Sequence, residues 1–169
     1  MRLFVGLPFP HQTRRDFILV QKQLQKNAVK GSFTAGGNFH LTLAFLGEVE
    51  EGRLPAVFAA LASAPMGPFA LVLDRLACFE GGIWYLAPRP CPSLTEGQAR
   101  LAQALREQGF QLEAPSYTPH VTLGRKILFR EGYCPPKVLG RPVPARSEGP
   151  RLFLSHRVEG ELRYDILRP

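Results

Sequence analysis

Cysteine is scarce in this chain: Cys78, Cys91 and Cys134 are the full complement of 169 residues. Their number is odd, their gaps are wide and no Cys-x-x-Cys pair occurs, so neither a disulfide framework nor a zinc site is expected. Long apolar runs are missing too; none approaches the roughly 18 residues that a membrane-spanning helix needs. Met1-Arg2 leads into a short apolar stretch that Pro8 closes, which does not read as a secretory leader. Acidic residues are the minority charge, 14 against 21 Lys and Arg, for a net charge of +7. That balance favours polyanionic partners through counterion release and steering, although it also serves solubility. No arginine-rich tail is present; the basic residues are dispersed, with modest concentrations at Arg14-Arg15 and at Lys126, Arg130, Lys137, Arg141 and Arg146. A cytoplasmic, monomeric, single domain of two lobes over residues 1–169 is expected, with no membrane contact, no obligate protein partner and no cofactor.

What the chain does contain is a statement made twice. His40-Leu41-Thr42-Leu43 recurs 80 residues later as His120-Val121-Thr122-Leu123. At the same offset Leu3 to Leu7, closed by Pro8-x-Pro10, lies over Ile83 to Ala87, closed by Pro88-x-Pro90. A helical pattern separates each Pro-x-Pro pair from its histidine. One such match arises by accident; prolines and histidines in one register indicate two degenerate β-α-β units.

The rest of the chain fills in around that repeat. A first strand runs from Arg2 to Leu7. A helix from Thr13 to Ala28 carries Phe17, Val20 and Leu24 on one stripe, with Gly31 beyond it. Gly36-Gly37 turns into a strand from Asn38 to Leu46, which Gly47 ends. Leu54, Val57, Phe58 and Leu61 outline a second helix between Pro55 and Pro65. Phe69 to Leu73 and Ile83 to Leu86 form a hairpin with Gly81-Gly82 near its turn. Ser93 caps a third helix bearing Leu94, Leu101 and Leu105, and Gly109 ends it. Pro115 and Pro119 frame the approach to the second histidine strand. Gly132 to Pro150, with five prolines, reads as an extended loop. Leu152 to Ser155 and Arg163 to Leu167 make a last pair around Gly160. Strands returning in hairpins among helices indicate α+β with antiparallel sheets, a bilobed pseudo-symmetric duplication around a central cleft.

Strand alternation then orients the chemistry. Asn38, His40, Thr42 and Ala44 share one face; Phe39, Leu41, Leu43 and Phe45 share the other, and the all-apolar set must face the core. Each histidine, with the threonine two residues on, is left for the cleft. Imidazole gives or takes a proton near neutrality, so a pair can divide acid from base. Threonine hydroxyls donate to an anionic oxygen without adding repelling charge. Two His and two Thr about one point suit in-line displacement at phosphorus, with Arg125 as a permanently charged contact. A lone His-x-Thr strand is commonplace and structural; its repetition is what points to function. No third histidine or carboxylate keeps these company, so no metal site is expected. His11 and His156 read as surface residues.

These motifs resemble the two-histidine phosphoesterases. His40-Leu41-Thr42-Leu43-Ala44-Phe45-Leu46-Gly47 and Pro119-His120-Val121-Thr122-Leu123-Gly124-Arg125 match their paired signatures. The closest likeness is to the RNA 2′,3′-cyclic phosphodiesterase branch, also called 2′-5′ RNA ligase. Arg2 to Leu7, Leu152 to Ser155 and Tyr164 to Leu167 resemble its ends, so the likeness spans nearly the whole chain. It implies opening of a terminal 2′,3′-cyclic phosphate to a 2′-phosphomonoester, and transesterification with a 5′-hydroxyl to a 2′-5′ linkage. By position His40 would be the proton donor and His120 the acceptor, with Thr42 and Thr122 holding the phosphate and Arg125 touching the substrate. The substrates implied are RNA ends bearing a cyclic phosphate, tRNA fragments among them. Two departures stand out. Strict alternation puts Arg125 on the face opposite His120, so a bulge or the strand's end must redirect it. The branch's usual final tryptophan is replaced by Leu167-Arg168-Pro169. An aromatic platform for a base is expected; Phe4 is the candidate, with core packing as its other reading. Two further functions stay open: an RNA-end binding module without turnover, and a phosphodiesterase for a small cyclic nucleotide or ADP-ribose cyclic phosphate.

Overall fold

The computed structural model describes residues 1–112 and 116–169; Pro115 lies outside them. In chain order the elements are β1 (Arg2–Pro8), α1 (His11–Gln25), β2 (Ala28–Phe33), β3 (His40–Glu48), α2 (Leu54–Ser63), β4 (Phe69–Phe79), β5 (Ile83–Pro88), α3 (Pro92–Glu107), β6 (Val121–Phe129), β7 (Val138–Ser147), β8 (Arg151–Val158) and β9 (Glu161–Leu167). The strands form two antiparallel sheets, ordered β3-β1-β8-β9 and β2-β6-β5-β4-β7. The fold is α+β, as the patterning implies.

The internal repeat is visible in the pairing. β1 pairs with β3 and, on its other side, with β8. Their counterparts 80 residues on, β5 and β6, pair likewise, and β4 takes the place of β8. The helices are exchanged. α1, from the first repeat, packs against β2, β6 and β7 of the second sheet, while α3 packs against β3 of the first. Apolar alternation drives this: Leu3, Val5 and Leu7 of β1 point inward at 1% exposure or less, as do Val121 and Leu123 of β6. Phe17 of α1 is fully buried between Phe9 and Phe39, ring centroids 5.0 and 5.5 Å away. Each such side chain contributes about 1.5–3 kcal/mol relative to exposure.

Four local expectations need correction. α1 ends at Gln25, and Ala28–Phe33 is a strand at the sheet edge. Its residues are half-buried or exposed, so no alternation marked it. Gly132 to Pro150 is not all loop, because β7 pairs with β4 from Phe69↔Ser147 to Arg75↔Val138. β7 is an edge strand, and Pro142 and Pro144 share a parity that turns both missing N–H groups to the open side. The hairpin strand β4 runs on from Leu73 to Phe79 across a bulge at Asp74 that inverts its alternation. Ser93 is no cap; α3 starts at Pro92, whose fixed φ suits the first helical position, and Cys91 precedes it without a side-chain bond. Among the described residues no helix is long and apolar enough to cross a membrane.

Candidate active site

His40 opens β3 and His120 immediately precedes β6, two strands that approach each other across the sheets. Backbone carbonyls two residues upstream seat both rings alike. Nδ1 of His40 lies 2.7 Å from the Asn38 oxygen, and Nδ1 of His120 lies 2.7 Å from the Thr118 oxygen. A carbonyl only accepts, so Nδ1 carries the proton in each neutral ring and Nε2 is left as the basic atom. At His40 that atom accepts from the Thr42 hydroxyl at 3.0 Å. Thr42 is 8% exposed; Thr122 is half-buried and stands opposite Tyr85.

Each imidazole sits against aromatic rings. Phe4 lies under His40 at 4.6 Å and is itself stacked on Phe153 at 4.9 Å with planes 4° apart. Tyr164 meets Phe4 and His40 edge-on, both at 5.0 Å. Across the cleft, Phe79 and Tyr85 stack at 4.1 Å and meet His120 at 5.1 and 5.5 Å. Phe4 is 3% exposed, so it supports His40 and has scarcely any free face for a base. None of Phe79, Tyr85, Phe153 and Tyr164 was read as part of the site. The available signal was the alternation of β8 and β9, which puts Phe153 and Tyr164 on the Phe4 side.

Two bulges complete the geometry. In β3 the register passes from Gly6↔Thr42 to Val5↔Ala44, skipping Leu43. In β6 it passes from Tyr85↔Thr122 to Trp84↔Gly124, skipping Leu123, the equivalent residue. A bulge inverts the alternation beyond it. The second one is the bulge that Arg125 requires: its charge reaches His40, His120 and Tyr164. The first was not anticipated and corrects the placement of Phe45. Expected in the core, Phe45 is 53% exposed and 6.0 Å from Phe4, on the histidine face. Phe45 and Arg125 are therefore equivalents, 80 residues apart.

The electrostatics follow from this enclosure. Burial pulls the His40 pKa down from 6.5 to about 4, the Asn38 carbonyl opposes it, and the charges of His120 and Arg125 add to it. Burial likewise lowers His120, opposed by the Thr118 carbonyl and reinforced by Arg125. Burial raises the Tyr164 hydroxyl, with Arg125 and Arg2 pulling the other way. Burial and the Arg125 charge thus favour the neutral form of both rings at pH 7, with Nε2 ready to accept protons. His11 starts α1 at the surface, and His156 Nε2 pairs with Asp165 Oδ2 at 2.6 Å. Among the described residues no group of three or more His, Cys, Asp or Glu side chains gathers to hold a metal.

Residues 24–130 match the family model described as the 2′-5′ RNA ligase superfamily. A protein of Escherichia coli named RNA 2′,3′-cyclic phosphodiesterase is 32% identical over 73% of this chain and 71% of its own length. One of the same name from Bacillus subtilis is 28% identical over 77% of this chain and 74% of its own. Among solved structures, E. coli LigT in apo form superposes with a TM-score of 0.82 at 26% identity, covering 99% of this chain and 94% of that one. A structure described as a phosphoesterase gives 0.84 at 25% identity, covering 99% and 95%. A sequence match over most of the chain and a shared fold agree with the paired His-x-Thr cleft: the chain belongs to the 2′-5′ RNA ligase superfamily.

Proposed function

We propose that the chain hydrolyses the terminal 2′,3′-cyclic phosphate of RNA to a 2′-phosphomonoester. The observation that carries this reading is that two imidazoles, each with its Nδ1 held on the carbonyl two residues upstream, stand on strands that approach each other, with the Arg125 charge near enough to lower both. Relatives named RNA 2′,3′-cyclic phosphodiesterase support it, and structures of E. coli LigT include complexes with phosphate and with 3′-AMP.

In this reading the cyclic phosphate lies between the histidines. The hydroxyls of Thr42 and Thr122 and the Arg125 guanidinium donate to its non-bridging oxygens. A water attacks phosphorus and gives its proton to Nε2 of His120. The P–O3′ bond breaks in line, and Nε2 of His40 protonates the departing 3′ oxygen. His40 acquires that proton on binding, since the anionic phosphate favours the imidazolium that burial otherwise disfavours. His120 suits the base because its Nε2 has no hydrogen-bond partner among the described residues and its ring is the more open of the two. Proton exchange with solvent resets both rings. These groups carry the charge and the protons themselves, so the reaction requires no metal. A 5′-hydroxyl in place of water gives a 2′-5′ linkage by the same steps. RNA ends, tRNA fragments among them, are the substrates.

The test is turnover of an oligonucleotide and of a mononucleotide 2′,3′-cyclic phosphate, with product identification. A 2′-phosphate product, unaffected by chelator and lost by a factor of about 10²–10⁴ in His40→Ala or His120→Ala, is expected. Full activity in both variants, or a 3′-phosphate product, would sink the mechanism.

A further inference from the structure

Four side chains cross between the repeats to hold the backbone of the opposite histidine motif. On the second motif, Thr34 Oγ1 donates to the Thr122 oxygen at 2.9 Å and Gln21 Nε2 donates to the Leu123 oxygen at 2.8 Å. The same Gln21 amide also donates to the Thr34 oxygen at 2.9 Å, and the Thr34 N–H joins it on the Leu123 oxygen at 2.9 Å. On the first motif, Tyr117 Oη donates to the Thr42 oxygen at 3.2 Å and Gln98 Nε2 donates to the Leu43 oxygen at 3.0 Å. Each His-x-Thr strand thus has its threonine carbonyl held by a hydroxyl and its bulge carbonyl held by a glutamine. Both donors come from the other half of the chain.

The glutamines stand where packing alone would ask for leucine. Gln21 lies between Phe17 and Leu24 on the buried stripe of α1 and is itself 5% exposed. Gln98 lies at the same spacing between Leu94 and Leu101 on the buried stripe of α3. Burying an amide is unfavourable unless both of its protons find acceptors, and at Gln21 they do. What these amides grip is Leu43 and Leu123, the residues that the ladders skip. A bulge leaves one residue without ladder partners, and a slip of one residue would regularise the strand and invert every side chain beyond it. A donor from outside the sheet opposes that slip.

We propose that Gln21 and Gln98 are positioning residues that pin the two bulges and so keep Arg125 and Phe45 turned into the cleft. Where these side chains point stands on the geometry; what they do for turnover rests on the phosphodiesterase reading. Because each helix pins the strand of the other repeat, the same contacts fix the two histidine motifs relative to one another. Substrate then meets a preorganised site.

The test uses Gln21→Met and Gln98→Met, which keep the side-chain length and remove the donor. Histidine titrations followed by NMR read the first without any turnover. Gln21→Met lets Arg125 turn away, so His120 and His40 protonate at higher pH than in wild type. Arg125→Ala gives the same shift, and Gln21→Met adds nothing to it in that background. Gln98→Met lets Phe45, the exposed ring on which a base would stack, turn away; both midpoints stay in place, and adenosine 2′-monophosphate binds about tenfold more weakly with inorganic phosphate bound as before. A purely structural role would lower the melting temperature and leave the midpoints and the nucleotide-to-phosphate affinity ratio alone; that result overturns the proposal. If Gln21→Met does not fold, the half-buried Gln98 site decides alone, and an unchanged ratio there overturns it. An inactive wild type with shifted midpoints would sink the phosphodiesterase reading and keep this one.

Discussion

Tyr164 stands edge-on to His40, ring centroids 5.0 Å apart and planes at 89°, and so closes the cleft over the imidazole from β9. Burial is the largest cause of the low His40 pKa of about 4. Removing the wall readmits water, which favours the charged ring. Tyr164→Ala should therefore raise the His40 midpoint toward 6.5, while His120, seated on Phe79 and Tyr85, moves little. NMR titration of the two rings checks this. Equal shifts at both histidines would show that Tyr164 does not control access to His40.

The same burial predicts acid sensitivity of the fold. An unfolded His40 takes up its proton near pH 6.5 and the folded one only near pH 4, so the unfolded state binds more protons between these values. Stability from this group is complete above pH 6.5 and falls as pH drops toward 4, by a few kcal/mol at most. His40→Gln removes the titrating ring, and its urea midpoint should decline less between pH 7 and pH 4.5 than that of wild type. Parallel declines would place the acid sensitivity elsewhere.

How much of this was legible depended on whether alternation survived. Leu3, Val5, Leu7, Phe39 and Leu41 obey it, so the faces of β1 and the start of β3 could be read directly. Beyond a bulge the same rule gives the wrong face. The redirection of Arg125 was legible because the family resemblance places that arginine on the substrate against the alternation, whereas Phe45 looked at home in the core. β7 was hidden by prolines that an edge strand tolerates, and β2 by exposure on both faces. The crossing donors Gln21, Gln98, Thr34 and Tyr117 bond to backbone oxygens 55 to 102 residues away. No local pattern reports such a partner; the only trace was a glutamine within an apolar helical stripe.

Arg125 separates charge from geometry. In the proposed mechanism Arg125→Ala removes a charge-assisted contact to phosphate worth ~1.5–3 kcal/mol, so kcat/KM should fall by about ten- to a hundredfold. Because that charge lowers both imidazoles, the fall of kcat/KM on the alkaline side should also move to higher pH. Arg125→Lys keeps the charge and loses the planar fork; its kcat/KM should drop with no movement of the pH profile. A shifted profile in the lysine variant would mean that the field at the histidines does not come from residue 125.

If the proposed substrate is right, Phe45 is the residue that separates recognition of the base from chemistry at phosphorus. It is 53% exposed, on the histidine face, and equivalent by the repeat to Arg125, so the two repeats bring one exposed aromatic ring and one cation to the faces that carry the histidines. Stacking of a base on such a ring contributes ~1–3 kcal/mol without reading its identity. Phe45→Ala should raise KM about tenfold for purine and pyrimidine 2′,3′-cyclic nucleotides alike and leave kcat nearly intact. Glycerol cyclic phosphate, which has no base, should be turned over by Phe45→Ala and wild type with the same kcat/KM. A loss of equal size on both substrates would show that Phe45 shapes the catalytic centre itself and that the base is bound elsewhere.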